Sequence, residues 1–456
     1  MTNLFSFDEE TLSADVRLGC AIADDNDDFN PKEFTESMLG RSPQRRRQSN
    51  LHPLGAHSFR RRSSIYGRMS ISSSVKSSEI KIPADYKNEE EGNASVRLED
   101  FEPLTVLGQG AYGKVYLVKH KITNKLFAQK QVRKPAINMS DGNEIKKHID
   151  RTLSERQILT NITHHPNIVK LFYALHDQEK FYLILEYIPG GELFHHLSSN
   201  GKNVFKEDDV AFYAAQMALG MRHLHQLGIV YRDLKPENCL LNTNGHLVLT
   251  DFGLSKDIDP NDKCTSIIGT PEYMAPEVLK GESYDYAVDW WSLGCVIYDM
   301  MSGKPPFTGN SHKNIQDKIV KNKLNIPFYF SMDARDLVNK LLNKNPSKRF
   351  AVDEKWTQFQ QHRFFRKIDW KALELQTANP PIQPVITDPI LAENFLSEFT
   401  SMKISGMGKS PLVAATSIDI AAPHPADSTA TFAGFSYAAS NSFVERWGMT
   451  LPDLEP

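Results

Sequence analysis

The chain has 456 residues, with 53 basic and 56 acidic side chains for a net charge of -3. That length accommodates a large catalytic domain with extensions, and the balanced charge excludes bulk attraction to nucleic acid or a membrane surface as the main activity. The cysteines, Cys20, Cys239, Cys264 and Cys295, have neither metal-ligand spacing nor the density of a disulfide-stapled secreted domain, which indicates a reducing compartment. No basic-then-apolar leader opens the sequence, position 2 is Thr rather than a myristoylation Gly, and no apolar run reaches membrane-spanning length. A cytoplasmic location is expected, with nuclear access open, and neither a nucleic-acid nor a membrane partner.

Residues 1–100 are dominated by Ser, Arg, Asp and Asn without an apolar period, and are expected to form a disordered regulatory arm. Apolar strands and amphipathic helices then run through 101–365, the span of one large domain. Residues 366–456 are rich in Pro, Ser and Ala with isolated aromatics, the texture of a tail wrapped over another surface.

Within the domain, Leu107-Gly108-Gln109-Gly110-Ala111-Tyr112-Gly113-Lys114-Val115 lies between two predicted strands. Glycines here let backbone amides approach a triphosphate closely. In a dinucleotide fold the third glycine would open a helix, whereas here Val115, Tyr116 and Val118 continue as strand. Next, the strand Leu126–Val132 carries Lys130 among apolar neighbours, suited to reach the α and β phosphates of ATP. A helix from about Glu144 to Asn161 supplies Glu155 to hold that lysine, with Ile149, Leu153, Ile158 and Ile162 forming much of its apolar stripe.

Strand Phe181–Ile188 gives way to the turn Pro189-Gly190-Gly191-Glu192. This stretch resembles a kinase hinge, a likeness which implies that backbone groups around Glu186 and Ile188 bond adenine, that Leu185 bounds the pocket behind it and that Glu192 stands near the ribose. A helix over Asp208–Gln226 places Val210, Tyr213, Ala214, Met217, Ala218, Met221 and Leu224 on a buried face. Immediately after it comes Val230-Tyr231-Arg232-Asp233-Leu234-Lys235-Pro236-Glu237-Asn238. In this run Asp233 suits a base for a substrate hydroxyl, Lys235 a counter-charge for a moving phosphoryl group, and Asn238 a Mg²⁺ ligand. Asp251-Phe252-Gly253 follows a strand, so Asp251 is the second predicted metal ligand.

Together these motifs resemble the eukaryotic Ser/Thr protein kinases, and the Tyr-Arg-Asp variant with its long tail resembles the AGC group. The resemblance implies an α+β bilobal fold, with a small β-rich N-lobe and a larger helical C-lobe, using ATP and Mg²⁺ and acting as a monomer on protein substrates under upstream activating kinases. It casts Glu277 and Arg349 as a buried ion pair and Asp289 as the brace of the catalytic loop. Glu192, Glu237 and Asp299 would receive arginines of a basic substrate. Phe432–Tyr437 resembles the hydrophobic motif of the AGC group, and Pro380-Pro381-Ile382-Gln383-Pro384 with Asn394–Thr400 resembles the tail of the ribosomal protein S six kinases, a group of growth and translation signalling.

Three acceptors follow from that likeness: Ser266 in the activation loop, with Thr265 as a rival, Ser410 before Pro411, and Ser436 beside Phe435. Phosphate on Ser266 would draw in Arg232, Lys256 and the Glu155 helix, and phosphate on Ser436 would help Phe432 and Phe435 dock behind that helix. Leu396 departs from the group's usual Asp, which weakens the adenine-side contact of Phe395. Arg46-Arg47-Gln48-Ser49 and Arg61-Arg62-Ser63-Ser64 are expected sites of autophosphorylation or of phosphorylation by a similar kinase, the alternatives being two solvated basic clusters or a weak nuclear import signal. Phe7–Thr11 resembles a short motif for recruiting an upstream kinase complex, apart from its polar last residue. The alternative function class is a pseudokinase or scaffold, but every catalytic identity is of the type turnover requires.

Overall fold

The computed structural model describes residues 96–110, 113–134, 142–162, 165–196, 204–259, 262–404 and 435–440. Strands β1 (Phe101–Gly110), β2 (Gly113–His120), β3 (Leu126–Arg133), β4 (Leu171–His176) and β5 (Lys180–Glu186) form an antiparallel sheet, with helix α1 (Gly142–Asn161) inserted between β3 and β4. Side chains alternate across this sheet with the period of two that a pleated strand imposes. In β3, Phe127, Gln129 and Gln131 are buried on one face, which sends Lys130 to the other. Register sets Lys130 between Val115 of β2 and Leu183 of β5, directly over the base of the glycine turn.

The second lobe is helical, with short strands β6 (Ile229–Val230), β7 (Cys239–Leu241), β8 (Leu247–Leu249) and β9 (Lys256–Asp257). Its helices include α2 (Glu207–Gln226), α3 (Pro276–Leu279), α4 (Ala287–Ser302), α5 (His312–Lys321) and α6 (Met332–Leu341). Both α2 and α4 are apolar nearly all round, the pattern of helices packed on every side. Every residue of the stripe expected on α2 is fully buried, and so are Trp290 and Trp291 of α4. This is the bilobal α+β arrangement expected from the sequence. No helix among the described residues is long and apolar enough to cross a membrane.

From Arg366 the chain travels back over both lobes. Gln376 donates from Nε2 to the Pro166 carbonyl (3.2 Å), and the Ile382 amide donates to the Tyr213 hydroxyl (3.3 Å). Asn394 donates to the Pro189 carbonyl (3.1 Å), Phe395 stacks on Tyr187 at 6.0 Å, and Thr105 donates to the Thr400 carbonyl (3.1 Å). The close crossing explains two glycines in the body. A Cβ on Gly191 would lie 1.9 Å from the Asn394 carbonyl oxygen, and one on Gly245 would lie 2.0 Å from that of Ile382. Both have φ in the left-handed region, at +67° and +86°, where a side chain is disfavoured anyway. Finally β10 (Tyr437–Ala438) pairs antiparallel with β4, extending the sheet to the order β1-β2-β3-β5-β4-β10. The sequence predictions at Ala111, Tyr112, Ser410 and Phe432, and those in the arm before Val96, lie outside the described residues.

Glu277 and Arg349 do form a buried pair: Nη1 lies 2.5 Å from Oε1 and Nη2 lies 2.8 Å from Oε2, with Nη1 also donating to the Ala287 carbonyl at 2.9 Å. A desolvated fork of this kind is costly to break from one side, because the other charge stays buried. Arg349→Ala is expected to destabilise the helical lobe by about 3–5 kcal/mol, read as a lower midpoint in urea unfolding.

Candidate active site

The cleft between the lobes is organised around one ammonium group. Lys130 Nζ lies 2.7 Å from Glu155 Oε1 of α1 and 2.8 Å from Asp251 Oδ1, on the loop between β8 and β9. Burial by itself would lower the lysine's pKa, but Asp251 and Glu155 raise it above the ordinary value, so it stays charged. Glu155 is enclosed, with 4% of its side chain exposed, while Asp251 faces the opening at 48%. Desolvation at Asp251 is outweighed by Lys130, whose charge and hydrogen bond hold this carboxyl below its usual range. Asp251 also has φ 56°, a left-handed conformation that costs about 1–3 kcal/mol and persists only where neighbours enforce it. Phe252 helps to enforce it, buried beside the Tyr231 ring at 5.3 Å.

Across the cleft, Asp233 accepts from Asn238 Nδ2 at 2.9 Å, pairs with Lys235 Nζ at 3.1 Å and accepts from the Thr270 hydroxyl at 3.3 Å. Burial pushes the Asp233 carboxyl up to about 6 against the opposing pull of Lys235. Asn238 Nδ2 also reaches the Asp233 carbonyl at 2.8 Å, which leaves Oδ1 as the uncommitted end of its amide. Asp251 Oδ1 is taken up by Lys130 and by the Gly253 amide at 3.2 Å, leaving Oδ2 uncommitted. Two such oxygens, one amide and one carboxylate, suit a hard divalent cation that completes its shell with phosphate and water.

The catalytic loop is held from beneath. Asp289, fully buried in the first turn of α4, accepts from the backbone amides of Tyr231 and Arg232, each at 2.8 Å. Those bonds fix Arg232 at φ 66°. Behind Asp289 stands His225, its Nε2 2.9 Å from Asp289 Oδ2 and its Nδ1 2.9 Å from Asp353 Oδ1. Burial disfavours a charged imidazole, yet the two carboxylates lift its pKa to about 9 and keep it protonated at neutral pH. Sequence reasoning found Asp289 but missed His225, Asp353 and the Thr270 contact. The only trace of His225 was a polar residue at the end of the α2 stripe.

At the hinge, the Glu186 amide is committed to the Lys170 carbonyl at 2.9 Å, and its carboxylate pairs with Lys170 at 2.6 Å. The Ile188 amide has no partner among the described residues, which makes it the donor available to an adenine edge. Leu107, Val115, Ala128 and Tyr187 cluster with Phe395 and Ala392 of the tail, so Phe395 reaches this side of the cleft despite Leu396. Leu185 packs against the main core beside them.

The expected substrate carboxylates share one neighbourhood. Burial, then the charge of Glu237, lifts Glu192 to about 7. Asp299 is lifted to about 6 by burial, with Glu237 adding to the shift and the Tyr273 hydroxyl, donating at 2.7 Å, opposing it. Near the predicted acceptor, the Tyr284 hydroxyl donates to the Ser266 carbonyl at 2.8 Å and accepts from Arg232 Nη1 at 3.3 Å.

A family model described as the protein kinase domain matches residues 101–365. The chain belongs to the protein kinase family. Serine/threonine-protein kinase YPK3 of Saccharomyces cerevisiae is 44% identical, over 88% of this chain and 90% of its own length. Serine/threonine-protein kinase Sgk1 of Danio rerio is 40% identical over 77% and 79% of the two chains, and AtPK2/AtPK19 of Arabidopsis thaliana is 42% identical over 70% and 66%. The chain is thus a serine/threonine protein kinase of the AGC type, a transferase family that uses ATP with a divalent metal. Kinases of this family act on protein substrates and answer to upstream kinases.

In this kinase the Asp289 brace should matter for turnover as well as for folding. Asp289→Ala frees two loop amides, and a displacement of about 1 Å at the reacting groups costs on the order of 100-fold. We expect kcat on a peptide substrate to fall by about that factor, with ATP still bound in a direct titration.

Proposed function

We propose that this kinase stands with the ribosomal protein S six kinases within its group, transferring the γ-phosphate of ATP to Ser or Thr in Arg-x-x-Ser-like contexts. Its setting would be growth or nutrient signalling towards ribosomal protein and translation. The observation that carries the catalytic part is Asp233, enclosed and held by Asn238, Lys235 and Thr270 across the cleft from a lysine clamped by Glu155 and Asp251.

In this reading the glycine turn, Lys130 and the hinge amide of Ile188 hold the nucleotide, while Asn238 and Asp251 supply the ligands for Mg²⁺. The metal, when bound, neutralises phosphate charge. Asp233 orients the substrate hydroxyl and accepts its proton, and Lys235 lies close enough to offset charge that builds on the transferring group. Glu192, Glu237 and Asp299 form an acidic neighbourhood in which the raised carboxyls of Glu192 and Asp299 gain a counter-ion when a guanidinium arrives. That electrostatic gap supports the preference for arginine upstream of the acceptor.

Regulation would run through phosphate on Ser266 beside Arg232, on Ser410, and on Ser436 in the tail. We place the kinase in the cytoplasm with nuclear access, acting as a monomer.

Because a base must be ionised to accept a proton, activity should decline as pH falls through about 6, the range of the Asp233 carboxyl. The acid limb of the kcat profile measures this, and Asp233→Asn should lower kcat by about 10²–10⁴-fold above that range, with the deficit shrinking below it. Glu192 should make arginine selection pH-dependent as well. It loses charge below about 7, so the ratio of kcat/KM for Arg-containing over Ala-substituted peptide should shrink on acidification, and Glu192→Gln should flatten that dependence.

A further inference from the structure

Two carboxylates grip one imidazole at the end of α2. His225 Nε2 lies 2.9 Å from Asp289 Oδ2, and its Nδ1 lies 2.9 Å from Oδ1 and 3.0 Å from Oδ2 of Asp353. An ionised carboxylate only accepts hydrogen bonds, whereas a neutral imidazole carries a single N–H. With a carboxylate on each nitrogen both must donate, so the geometry itself calls for a ring with two protons and a positive charge. The side chains of His225 and Asp289 are enclosed, at 3% and 0% exposed, while Asp353 reaches the surface at 33%.

Asp353 stands in the turn between Arg349 and Trp356. The Lys355 amide closes that turn on the Ala351 carbonyl at 2.9 Å, and Trp290 Nε1 of α4 donates to Asp353 Oδ2 at 2.7 Å. The indole, which does not titrate, thus aims the carboxylate at the ring. On the other side, Asp289 accepts from the amides of Tyr231 and Arg232, each at 2.8 Å, immediately ahead of Asp233. A buried carboxylate that loses its counter-charge draws a proton or shifts towards water. Either response loosens the two amides and the backbone that aims Asp233.

We propose that Asp353 is a positioning residue for phosphotransfer: it accepts the second proton of the His225 ring, and the charge so retained holds Asp289 beneath the amides of Tyr231 and Arg232. The inference needs only kinase turnover and is independent of substrate preference. The titratable groups around the ring are Asp289 and Tyr286 on the α4 side and Asp353 on the turn, with the Tyr286 ring 4.9 Å from the imidazole. Burial, then Asp257, Asp353 and Asp285, hold the Tyr286 hydroxyl above its usual range, so it stays neutral. Burial opposes the charge on His225, and Asp289 and Asp353 lift its pKa to about 9. Because the charged ring is the working form, kcat should fall as pH rises through about 9, and loss of one carboxylate should bring that fall to lower pH.

The test uses the full chain as wild type, Asp353→Asn and Asp353→Glu, with kcat on a saturating peptide measured across both pH limbs. Nitrogen-15 spectra of histidine-labelled protein report the charge of the His225 ring, its signal assigned by loss in His225→Gln. We expect an imidazolium in the wild type at neutral pH. In Asp353→Asn the ring should lose its proton, and the alkaline limb should fall, about 1–3 pH units earlier, with kcat about tenfold lower beyond that limb. Asp353→Glu should restore the limb towards the wild-type position. A neutral His225 in the wild type would overturn the proposal without any substitution. So would Asp353→Asn with unmoved ring titration and alkaline limb, including a variant less stable to urea and slower at every pH, which would leave Asp353 a structural residue only. The acid limb belongs to Asp233 and should coincide in all three proteins, so failure of the base assignment would show there and not at the alkaline limb.

Discussion

A single buried ammonium ties the two lobes of this kinase together. Lys130 comes from the sheet, Glu155 from the helix lying against it and Asp251 from the helical lobe, and all three meet within 2.8 Å contacts. An isolated charge in such a place would be expelled or neutralised, so the lysine can remain only because two carboxylates face it. The same balance prepares the cleft for its substrate. In the proposed reading, Lys130 would face phosphate oxygens and Asp251 would hold the metal when the nucleotide is bound, so that each would keep an opposite charge. Glu155, enclosed on α1, is the partner that burial keeps in place.

Strain and support are paired throughout the site. Arg232 and Asp251 both occupy left-handed backbone conformations, and each is held by groups that have little other freedom. For Arg232 the support runs down through Asp289 to His225 and on to Asp353, which also takes the Trp290 indole N–H at 2.7 Å. The protonated imidazole lets two carboxylates sit on either side of it without repelling one another. On the other side of the molecule the tail supplies a second kind of support, threading from α2 past the hinge to β1 and then to β4. At Asn394 and Ile382 the tail's main chain comes against the body, which is why glycine occupies positions 191 and 245.

Much of this was legible in the sequence because the chemistry restricts residue type and spacing together. Lys130 stood out as a charge in an apolar strand, and the run from Tyr231 to Asn238 offered candidates for base, counter-charge and metal ligand in one stretch. The α2 stripe was equally plain, since a 3.6-residue period has few other causes. What stayed hidden were partnerships between distant side chains of ordinary type. Nothing marks Asp353 as the partner of His225, or Arg156 of α1 as the partner of the Phe435 and Ser436 carbonyls, because a backbone acceptor leaves no trace in the sequence at all. The strand pairing of Tyr437 and Ala438 was invisible for the same reason, since two residues are too few for any period to register.

The central claim is that Glu155 makes Lys130 competent for phosphotransfer rather than merely burying it. Glu155→Gln keeps the shape and a hydrogen-bonding end but removes the charge, so peptide phosphorylation at saturating ATP and metal measures that claim directly. The account predicts a kcat lower by on the order of 100-fold in a protein that still unfolds cooperatively. A variant that turns over at the wild-type rate would contradict it.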